Sequence, residues 1–382
     1  MPPLLQFNLK MRLSACRMPL GNRRIHRRLA GSKRADQRKR ANMKKIIRVG
    51  VIGVGYLGRF HAQKYAAMSD VELVGVADSD PAQARQVADA CATQPFSDYH
   101  ALLDQVDAVS IVTPTSLHHE VASACLRRRV DVMVEKPITT TLAEADDLIR
   151  LARDQQCLLQ VGHLERFNPA VLAMRPLLTR PLFIEAHRLN VFKDRGTDVD
   201  VVLDLMIHDI DIVLSIVKSP LVSIHTAGAP VITRLTDIAN ARLIFADGCT
   251  ANITVSRVAM ETMRRMRIFQ PGQYLSVDFG HKEIMTARLQ PGKDGGNPAP
   301  EINRPACPDH DALELELSEF VRCVRERSQP AVSGEEGRRA LDVALRVIAQ
   351  IHDNRTRIEQ MLRDEGNSDL LSCLHAPLPA ND

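Results

Sequence analysis

The 382-residue chain contains no tryptophan, and aromatic residues make up only 4% of it. So low an aromatic content argues against a surface on which the bases of single-stranded nucleic acid stack. No apolar run reaches the roughly 18 residues that a membrane-spanning helix needs. The eight cysteines include no CxxC pair, and no His/Cys cluster predicts a zinc site. We therefore expect a cytoplasmic protein with reduced thiols and with no metal, no membrane segment and no nucleic-acid partner.

Positive charge is concentrated in residues 1–43, which hold 12 Lys or Arg against a single acid, Asp36. The rest of the chain has 38 basic and 45 acidic residues, so it is mildly acidic and a poor candidate for binding phosphate backbones. Three interpretations of residues 1–43 stay open: a mis-assigned start with translation beginning at Met43, a disordered basic tail, and a targeting segment.

From residue 44 onward, apolar β-rich runs alternate with helical patterns. Asp80 and Pro81 predict one helix start, and Thr141 with Glu144 predicts another through a capping box. Uniformly apolar strands are buried on both faces, so the alternation predicts a doubly wound parallel sheet. The predicted strands are 46–52, 71–77, 107–112, 130–134 and 157–161, and the predicted helices are 56–68, 81–91, 116–128 and one from 141.

After Gly162 the pattern changes to period-2 runs, and the turn Ala246-Asp247-Gly248 between two of them predicts a hairpin. These features predict a second domain over 166–353, α+β in class, with a mainly antiparallel sheet covered by helices. Residues 354–382 are predicted to be a tail. The predicted strands are 182–190, 239–245, 249–258, 266–269 and 274–279; the predicted helices are 200–217, 312–327 and 335–353, with a loop over 291–310.

A glycine-rich segment follows the first predicted strand and opens the first predicted helix. Its sequence, GVGYLG over residues 53–58, matches the GxGxxG pattern of dinucleotide-binding turns. Gly53 permits a tight turn, Gly55 lets a pyrophosphate approach the backbone, and Gly58 allows the helix to pack closely on the strand. The helix N-terminus offers unpaired N–H groups to phosphate. The loop residues predicted to contact the cofactor are Gly53, Gly55, Tyr56, Leu57 and Gly58.

Asp78 ends the next predicted strand, 20 residues after Gly58. A carboxylate at this position binds both hydroxyls of the adenine ribose. Ser79 follows it, where a 2′-phosphate would need a cation instead. The sequence therefore favours NAD over NADP and predicts an NAD-binding Rossmann domain over 44–165.

Glu135, Lys136 and Pro137 come directly after a buried strand, at the sheet edge where such folds bind ligands. A partly buried lysine has a depressed pKa that suits it to proton transfer at a substrate hydroxyl. Pro137 would aim that lysine, and a cis bond before the proline is one way to do so. On spacing alone, an ordinary surface lysine after a strand is an equally open interpretation.

The apolar helix predicted over 200–217 carries polar residues on one face. Asp204, His208 and Asp211 are spaced at i, i+4 and i+7, so they share that face. A carboxylate beside an imidazole orients the ring and raises its basicity. The spacing therefore predicts Asp204 and His208 as a general-base pair, while a metal site and a structural ion pair stay open.

Taken together, these motifs resemble those of the Gfo/Idh/MocA family of oxidoreductases over about residues 46–350. The matching segments are the glycine loop, Thr113-Pro114 with His118, Glu135-Lys136-Pro137, Val161-Gly162 with Arg166-Phe167, Asp204 with His208, and Pro330–Glu335. The resemblance implies that Lys136, Asp204 and His208 surround the reacting carbinol. It also implies a homodimer or homotetramer. The further residues that it assigns to the cofactor are Thr113, Pro114, His118 and Glu135.

Segments 162–169, 185–189 and 204–211 resemble, more narrowly, the branch of this family that acts on UDP-N-acetylglucosamine at C3. In that branch the 3-keto sugar passes to a pyridoxal-phosphate-dependent aminotransferase, which makes the 3-amino sugar of lipid A. A nucleotide-sugar substrate needs a clamp for its diphosphate. The predicted substrate-binding residues are Arg166, Asn168, Arg188 and Arg195, with Lys193 beside them; solvated surface charge is an open alternative for each cation.

Two positions depart from the family pattern. Residues 198–200 and Met206 stand where members commonly have glycines, and this departure can reshape the substrate pocket. Arg129 replaces a helix-ending glycine, where a left-handed backbone costs about 1 kcal/mol. Two alternatives therefore stay open: a dehydrogenase of inositol or a free sugar, and a non-catalytic NAD-sensing regulator.

Overall fold

The computed structural model describes residues 46–192, 199–290 and 299–367. The first half of this region forms a six-stranded parallel sheet with the strand order β3-β2-β1-β4-β5-β6. Two separate clusters of buried apolar side chains pack on its two faces, as the uniformly apolar strands predict. The strands are β1 (Ile47–Ile52), β2 (Val71–Ala77), β3 (Gln94–Phe96), β4 (Ala108–Ile111), β5 (Asp131–Glu135) and β6 (Leu159–Gly162).

Two helices of this half begin where their capping residues predict. Asp80 accepts a hydrogen bond from the backbone N–H of Ala82 at 2.9 Å, with Pro81 as the first helical residue. Thr141 and Glu144 form the predicted capping box. The helices are α1 (Gly58–Ala67), α2 (Pro81–Cys91), α3 (His100–Leu103), α4 (Thr115–Arg127) and α5 (Leu142–Gln155).

Arg129 has the left-handed conformation that its position predicts, with φ of 59°. It lies between α4 and β5, and its N–H donates to the carbonyl oxygen of Leu126. The backbone therefore keeps the turn that glycine makes without strain, at the cost of a disfavoured conformation for arginine.

The second half contains an eight-stranded sheet with the order β14-β13-β12-β11-β7-β10-β9-β8. Its neighbouring strands are antiparallel except for β7 and β10. The predicted hairpin joins β9 to β10, with Gly248 at φ 89°. The strands are β7 (Phe183–Leu189), β8 (Leu221–Ala229), β9 (Ile238–Phe245), β10 (Thr250–Ser256), β11 (Met263–Gln270), β12 (Gln273–Asp278), β13 (Glu283–Gln290) and β14 (Ala299–Asn303).

One face of this sheet packs on helices, and the core between them is apolar. The helix predicted over 200–217 begins as a π-helical turn, Val202–Met206, and continues as an α-helix. A 3₁₀ turn, Leu164–Phe167, follows β6. The helices of this half are α6 (Pro169–Met174), α7 (Ile207–Ile216), α8 (Ala312–Glu326) and α9 (Gly334–Asp364). Within the described ranges, every helix is too short or too polar to span a bilayer.

Helix α8 packs on the first sheet, although it lies far beyond the proposed boundary at residue 166. Leu317, Phe320 and Val321 of α8 join the same buried cluster as Ile47 and Val49 of β1. Sequence order therefore does not divide the two halves cleanly. Contact across about 270 residues leaves no local signal in the sequence.

Helix α9 continues to Asp364, so the tail predicted from residue 354 is wrong for its first part. Leu362 is buried, and Arg355 pairs with Glu359 one helical turn away at 3.0 Å. These contacts carry the helix past the expected end. Residues 368–382, like residues 1–45, lie outside the described residues.

Four strands went unpredicted, for different reasons. Strand β3 has only three residues, too few for an alternating pattern. Strand β14 is exposed at every position and lies inside the predicted loop 291–310, which is therefore wrong at 299–303. Strand β8 pairs with β9, and strand β13 pairs with β12. Pairing between separate strands leaves no periodic pattern in the sequence.

Candidate active site

The glycine loop connects β1 to α1 with little room to spare. Gly53 has φ of +85°, a conformation that L side chains rarely adopt. A Cβ on Gly58 would lie 1.9 Å from the carbonyl oxygen of Gly53. At Gly55, by contrast, a Cβ would meet no atom of the described residues within 4 Å. Gly53 and Gly58 thus leave no room for a side chain, whereas the space beside Gly55 is free. This arrangement lets a pyrophosphate approach the backbone of the turn. The side chains of Tyr56 and Leu57 are about half exposed beside this opening.

Asp78 lies at the end of β2 and faces the same loop. Its Oδ2 accepts a hydrogen bond from the N–H of Val54 at 2.8 Å, and its Oδ1 accepts one from the N–H of Asp80 at 3.0 Å. Each carboxylate oxygen can accept a second hydrogen bond, so the ribose hydroxyls of NAD can still be bound. The loop and the carboxylate together fit the predicted cofactor.

His118 ties together the two loops predicted to edge the nicotinamide. Its ring nitrogens lie 2.9 Å from the carbonyl oxygens of Thr113 and Pro137. The imidazole is buried, and Pro114 is exposed at the start of α4. His118 therefore positions the loops after β4 and β5 rather than offering its own ring to a ligand.

Lys136 follows β5 and enters the space between the two halves of the chain. The peptide bond between Lys136 and Pro137 is cis, one of the geometries that the sequence left open. Lys136 donates a hydrogen bond from Nζ to the backbone carbonyl oxygen of Asp204 at 2.9 Å. Burial lowers the pKa of Lys136, although the negative charges of Asp204 and Glu135 oppose this shift.

The carboxylate of Glu135 contacts α1 and the backbone of its own loop. One of its carboxylate oxygens lies 3.3 Å from Nε2 of His61, and the other accepts the N–H of Lys136 at 3.2 Å. His61 was not predicted as a site residue. Its position three residues after Gly58, on the helix that leaves the glycine loop, is the signal that could have found it.

Asp204 and His208 do not form the predicted pair. The Asp204 carboxylate lies 3.8 Å from Nζ of Lys136, and Nδ1 of His208 is buried with no hydrogen-bond partner among the described residues. Asp204 lies in the π-helical turn Val202–Met206, and His208 lies in the α-helix that follows it. Burial lowers the pKa of His208 well below its ordinary value, and the positive charge of Lys136 lowers it further.

These groups converge on one cavity of about 530 Å³. Lys136, Asp204 and His208 all line it, so the three predicted catalytic residues do meet. The side chains of Leu57 and His61 line it from the glycine-loop side. The remaining lining residues are Glu135, Gly162, Leu164, Glu165, Arg188, Asn190, Val191, Leu205, Arg257, Thr262, Arg264 and Leu313.

The predicted diphosphate clamp is wrong for Arg166. Its guanidinium is buried and forms a two-pronged ion pair with Asp211, at 2.5 and 2.9 Å, and a further contact with Glu336 at 3.3 Å. Asp211 is the third polar residue of the apolar helix, and this ion pair with Arg166 holds its carboxylate. Arg166 does not line the cavity.

Asn168 is also a structural residue rather than part of the clamp. Its Oδ1 accepts the N–H of Ala170 and caps α6, while Nδ2 donates to Glu165 and to the carbonyl oxygen of Phe279. Arg195 and Lys193 lie outside the described residues.

Arg188 does line the cavity, but its charge is already neutralised. It is buried, with Nε and Nη2 each 2.9 Å from the Asp209 carboxylate and Nη1 2.9 Å from Glu165. Burial acts to lower the pKa of Arg188, yet these two carboxylates raise it overall.

Among the described residues, no cluster of three or more His, Cys, Asp or Glu side chains is arranged to hold a metal ion.

Comparison with known proteins identifies the family. A model described as an oxidoreductase family with an NAD-binding Rossmann fold matches residues 47–163, and a GFO/IDH/MocA C-terminal domain model matches residues 179–270. A UDP-N-acetylglucosamine 3-dehydrogenase from Acidithiobacillus ferrooxidans is 40% identical over 302 residues, covering 79% of this chain and 96% of that protein. The chain belongs to the Gfo/Idh/MocA family of oxidoreductases. The predicted family, Rossmann fold and NAD cofactor are thereby confirmed.

Solved structures of other dehydrogenases share this architecture. A structure of the Acidithiobacillus dehydrogenase superposes with a TM-score of 0.76 at 38% identity, covering 80% of this chain and 97% of that one. A levoglucosan dehydrogenase in complex with NADH gives a TM-score of 0.72 at 18% identity, covering 80% and 97%, which shows the common fold alone. The myo-inositol 2-dehydrogenase of Thermotoga maritima is 23% identical over 336 residues, covering 83% of this chain and all of that protein.

Proposed function

We propose that this protein oxidises the C3 hydroxyl of UDP-N-acetylglucosamine to a ketone, with NAD⁺ as the hydride acceptor. The observation that carries the proposal is the convergence of Lys136, Asp204 and His208 on one cavity beside the glycine loop. The 40% identity to a UDP-N-acetylglucosamine 3-dehydrogenase supports this choice of substrate.

His208 is suited to take the proton of the substrate hydroxyl. Burial and the nearby charge of Lys136 lower its pKa, so the ring is neutral at physiological pH and can accept a proton. Its Nδ1 is buried and has no hydrogen-bond partner in the described part of the chain, so no protein group there fixes the tautomer of the ring. When bound, NAD⁺ accepts the hydride that leaves the carbinol carbon.

Lys136 is suited to stabilise the oxygen as the proton leaves. The carbonyl oxygen of Asp204 occupies one of its three N–H donors, which leaves two for the developing alkoxide. The Asp204 carboxylate, 3.8 Å from Nζ, helps to keep the ammonium charged against the effect of burial. Asp204 is thus a positioning residue for Lys136 rather than a partner of His208.

The product of this reaction, a 3-keto nucleotide sugar, is a substrate for transamination. We propose that a pyridoxal-phosphate-dependent aminotransferase consumes it in the cytoplasm, on the route to the 3-amino sugar of lipid A. A homodimer or homotetramer stays a prediction, to be checked by light scattering.

The decisive test is NADH absorbance on the purified protein with NAD⁺ and UDP-N-acetylglucosamine. Oxidation of an alcohol by NAD⁺ is uphill, so the reaction is also run with the aminotransferase and glutamate to remove the ketone. We expect turnover that rises sharply when the product is removed. The matched control is Lys136→Met, which should keep the fold and lose turnover.

Other outcomes separate the alternatives. Turnover with inositol or a free sugar, and none with the nucleotide sugar, would retain the catalytic residues and reject the proposed substrate. NADH binding without turnover of any of these compounds would favour a cofactor-sensing regulator instead.

A further inference from the structure

Arg264 differs from the other arginines of the cavity because it has no protein partner in the described part of the chain. Arg188 is held by Asp209 and Glu165, and Arg257 contacts Asp237 and the carbonyl oxygen of Val199. Arg264 lies near the start of β11, is exposed, and lines the cavity.

The position of Arg264 in the sheet is unfavourable for a protein without a ligand. It lies directly opposite Arg188 in the β7–β11 ladder, so two cations share one face of neighbouring strands. Like charges directly opposite each other destabilise a sheet. The two carboxylates near Arg188 are hydrogen-bonded to it at 2.9 Å, and no carboxylate in the described part of the chain forms an ion pair with Arg264.

Arg264 lines the same cavity as the predicted catalytic residues. Leu57 of the glycine loop and His61 of α1 line it together with Lys136 and His208. The carbon that loses hydride must lie between these two groups. The end of β7 and the start of β11 bring Asn190, Thr262 and Arg264 to the same cavity, so these polar side chains are available to the rest of the substrate.

We propose that Arg264 is a specificity-determining residue that binds the diphosphate of the nucleotide sugar, with the polar side chains of Asn190 and Thr262 beside it. A planar guanidinium can form two parallel hydrogen bonds to phosphate oxygens, which a free sugar cannot offer. The assignment rests on the proposed function, and it replaces Arg166 as the diphosphate ligand.

The test measures KM and kcat for UDP-N-acetylglucosamine, and the Kd of UDP by calorimetry, in wild type and in Arg264→Gln. A lost charged hydrogen-bond pair should raise KM and the UDP Kd by about 10- to 100-fold. Diphosphate binding is the same in ground and transition states, so kcat should stay within about twofold. Arg264→Lys should recover part of the affinity, because it restores the charge without the planar fork.

Arg265→Gln is the matched control. Arg265 is the next residue of β11, does not line the cavity, and pairs with Asp278 at 3.1 Å. Its loss should leave KM and UDP binding unchanged. If wild type turns over the nucleotide sugar and Arg264→Gln binds UDP equally well, Arg264 is not the diphosphate ligand although the proposed function stands. If wild type neither binds UDP nor turns over the nucleotide sugar, the proposed function fails and the role of Arg264 fails with it.

Discussion

Nζ of Lys136 donates a hydrogen bond to the backbone carbonyl oxygen of Asp204 across the boundary between the two halves of the chain, at 2.9 Å. The lysine follows a strand of the parallel sheet, and the carbonyl belongs to the π-helical turn before α7. The reactive ammonium is therefore positioned by both halves at once. Removing the Lys136 ammonium by mutation should lower the rate of catalysis more than the stability of the fold.

We expect Lys136→Met to lower kcat by about 10²- to 10⁴-fold, the range for loss of a positioned proton-transfer group. The Kd of NADH should change little, because Asp78 and the glycine loop are untouched. Steady-state kinetics and a fluorescence titration with NADH check both statements. Lys64→Met is the control, since Lys64 forms exposed ion pairs on α1. Near-normal turnover in Lys136→Met would remove the lysine from the mechanism.

The pH dependence of kcat/KM should reflect two groups with lowered pKa values. His208 must be neutral to accept a proton, and its pKa lies well below 6.5, so activity should fall only at a pH below that of an ordinary histidine. Lys136 must be protonated, and its pKa is lowered from 10.5, so the alkaline decline should begin below that value. In His208→Asn the acidic limb should vanish along with most of the rate. An unchanged acidic limb in the residual activity would assign it to another group.

Asp78→Asn should weaken NADH binding by about 10- to 100-fold, because it removes a charged acceptor of ribose hydrogen bonds. NADPH binding should suffer less, since the carboxylate repels a 2′-phosphate. Calorimetric titrations with both cofactors give the ratio. Asp80→Asn is the control, because asparagine caps a helix as well as aspartate does. Equal losses for NADH and NADPH would argue against selection by Asp78.

Arg166→Met should destabilise the fold by about 3–5 kcal/mol, because Asp211 would be left buried without its partner. Arg338→Met breaks the exposed pair with Asp146 and should cost about 0–1 kcal/mol. Chemical denaturation gives both free energies of unfolding. The KM of folded Arg166→Met for the sugar nucleotide should stay near that of wild type. A large rise in KM at unchanged stability would return Arg166 to the substrate clamp.

Glu316 on α8 is fully buried, and neither carboxylate oxygen has a hydrogen-bond partner among the described residues. Burial raises the pKa of Glu316 well above its ordinary value, and the charges of Glu135 and Asp211 raise it further. As pH rises above about 4.3, the carboxyl ionises in the unfolded chain but stays neutral in the folded one, so wild type loses stability.

Glu316→Gln should therefore gain stability relative to wild type between pH 5 and pH 8. Denaturant unfolding at these two pH values measures the gain. The exposed Glu314→Gln on the same helix is the control and should show a far smaller dependence. A difference between Glu316→Gln and wild type that is the same at both pH values would mean that the buried carboxyl is ionised in the native state.

Local patterns in the sequence predicted the parts of the site that local structure builds. The glycine loop, Asp78 and Lys136 follow strands, and their positions at the sheet edge come from the strand ends alone. The roles of Arg166 and Arg188 could not be predicted, because their partners lie 45 and 21 residues away and are met only after folding. A guanidinium that is neutralised in the core and one that faces a cavity look the same in a sequence.

The pairing of Asp204 with His208 failed for a different reason. A spacing of four residues places two side chains on one face of a helix but does not decide which partner each one meets, and Asp204, in its π-helical turn, lies 3.8 Å from Nζ of Lys136. The same turn presents the Asp204 carbonyl oxygen to Lys136. Hydrophobic periodicity predicted this helix but not its π-helical first turn.

The return of α8 to the first sheet limits how this protein can be divided or recombined. A fragment that ends near residue 165 would lack Leu317, Phe320 and Val321, and would expose the apolar face around Ile47 and Val49 to water. Such a fragment should aggregate rather than bind NAD as an isolated module. A chimera that exchanges substrate halves between relatives would therefore have to keep residues 312–326 with the nucleotide half, so the unit of exchange is discontinuous in the gene.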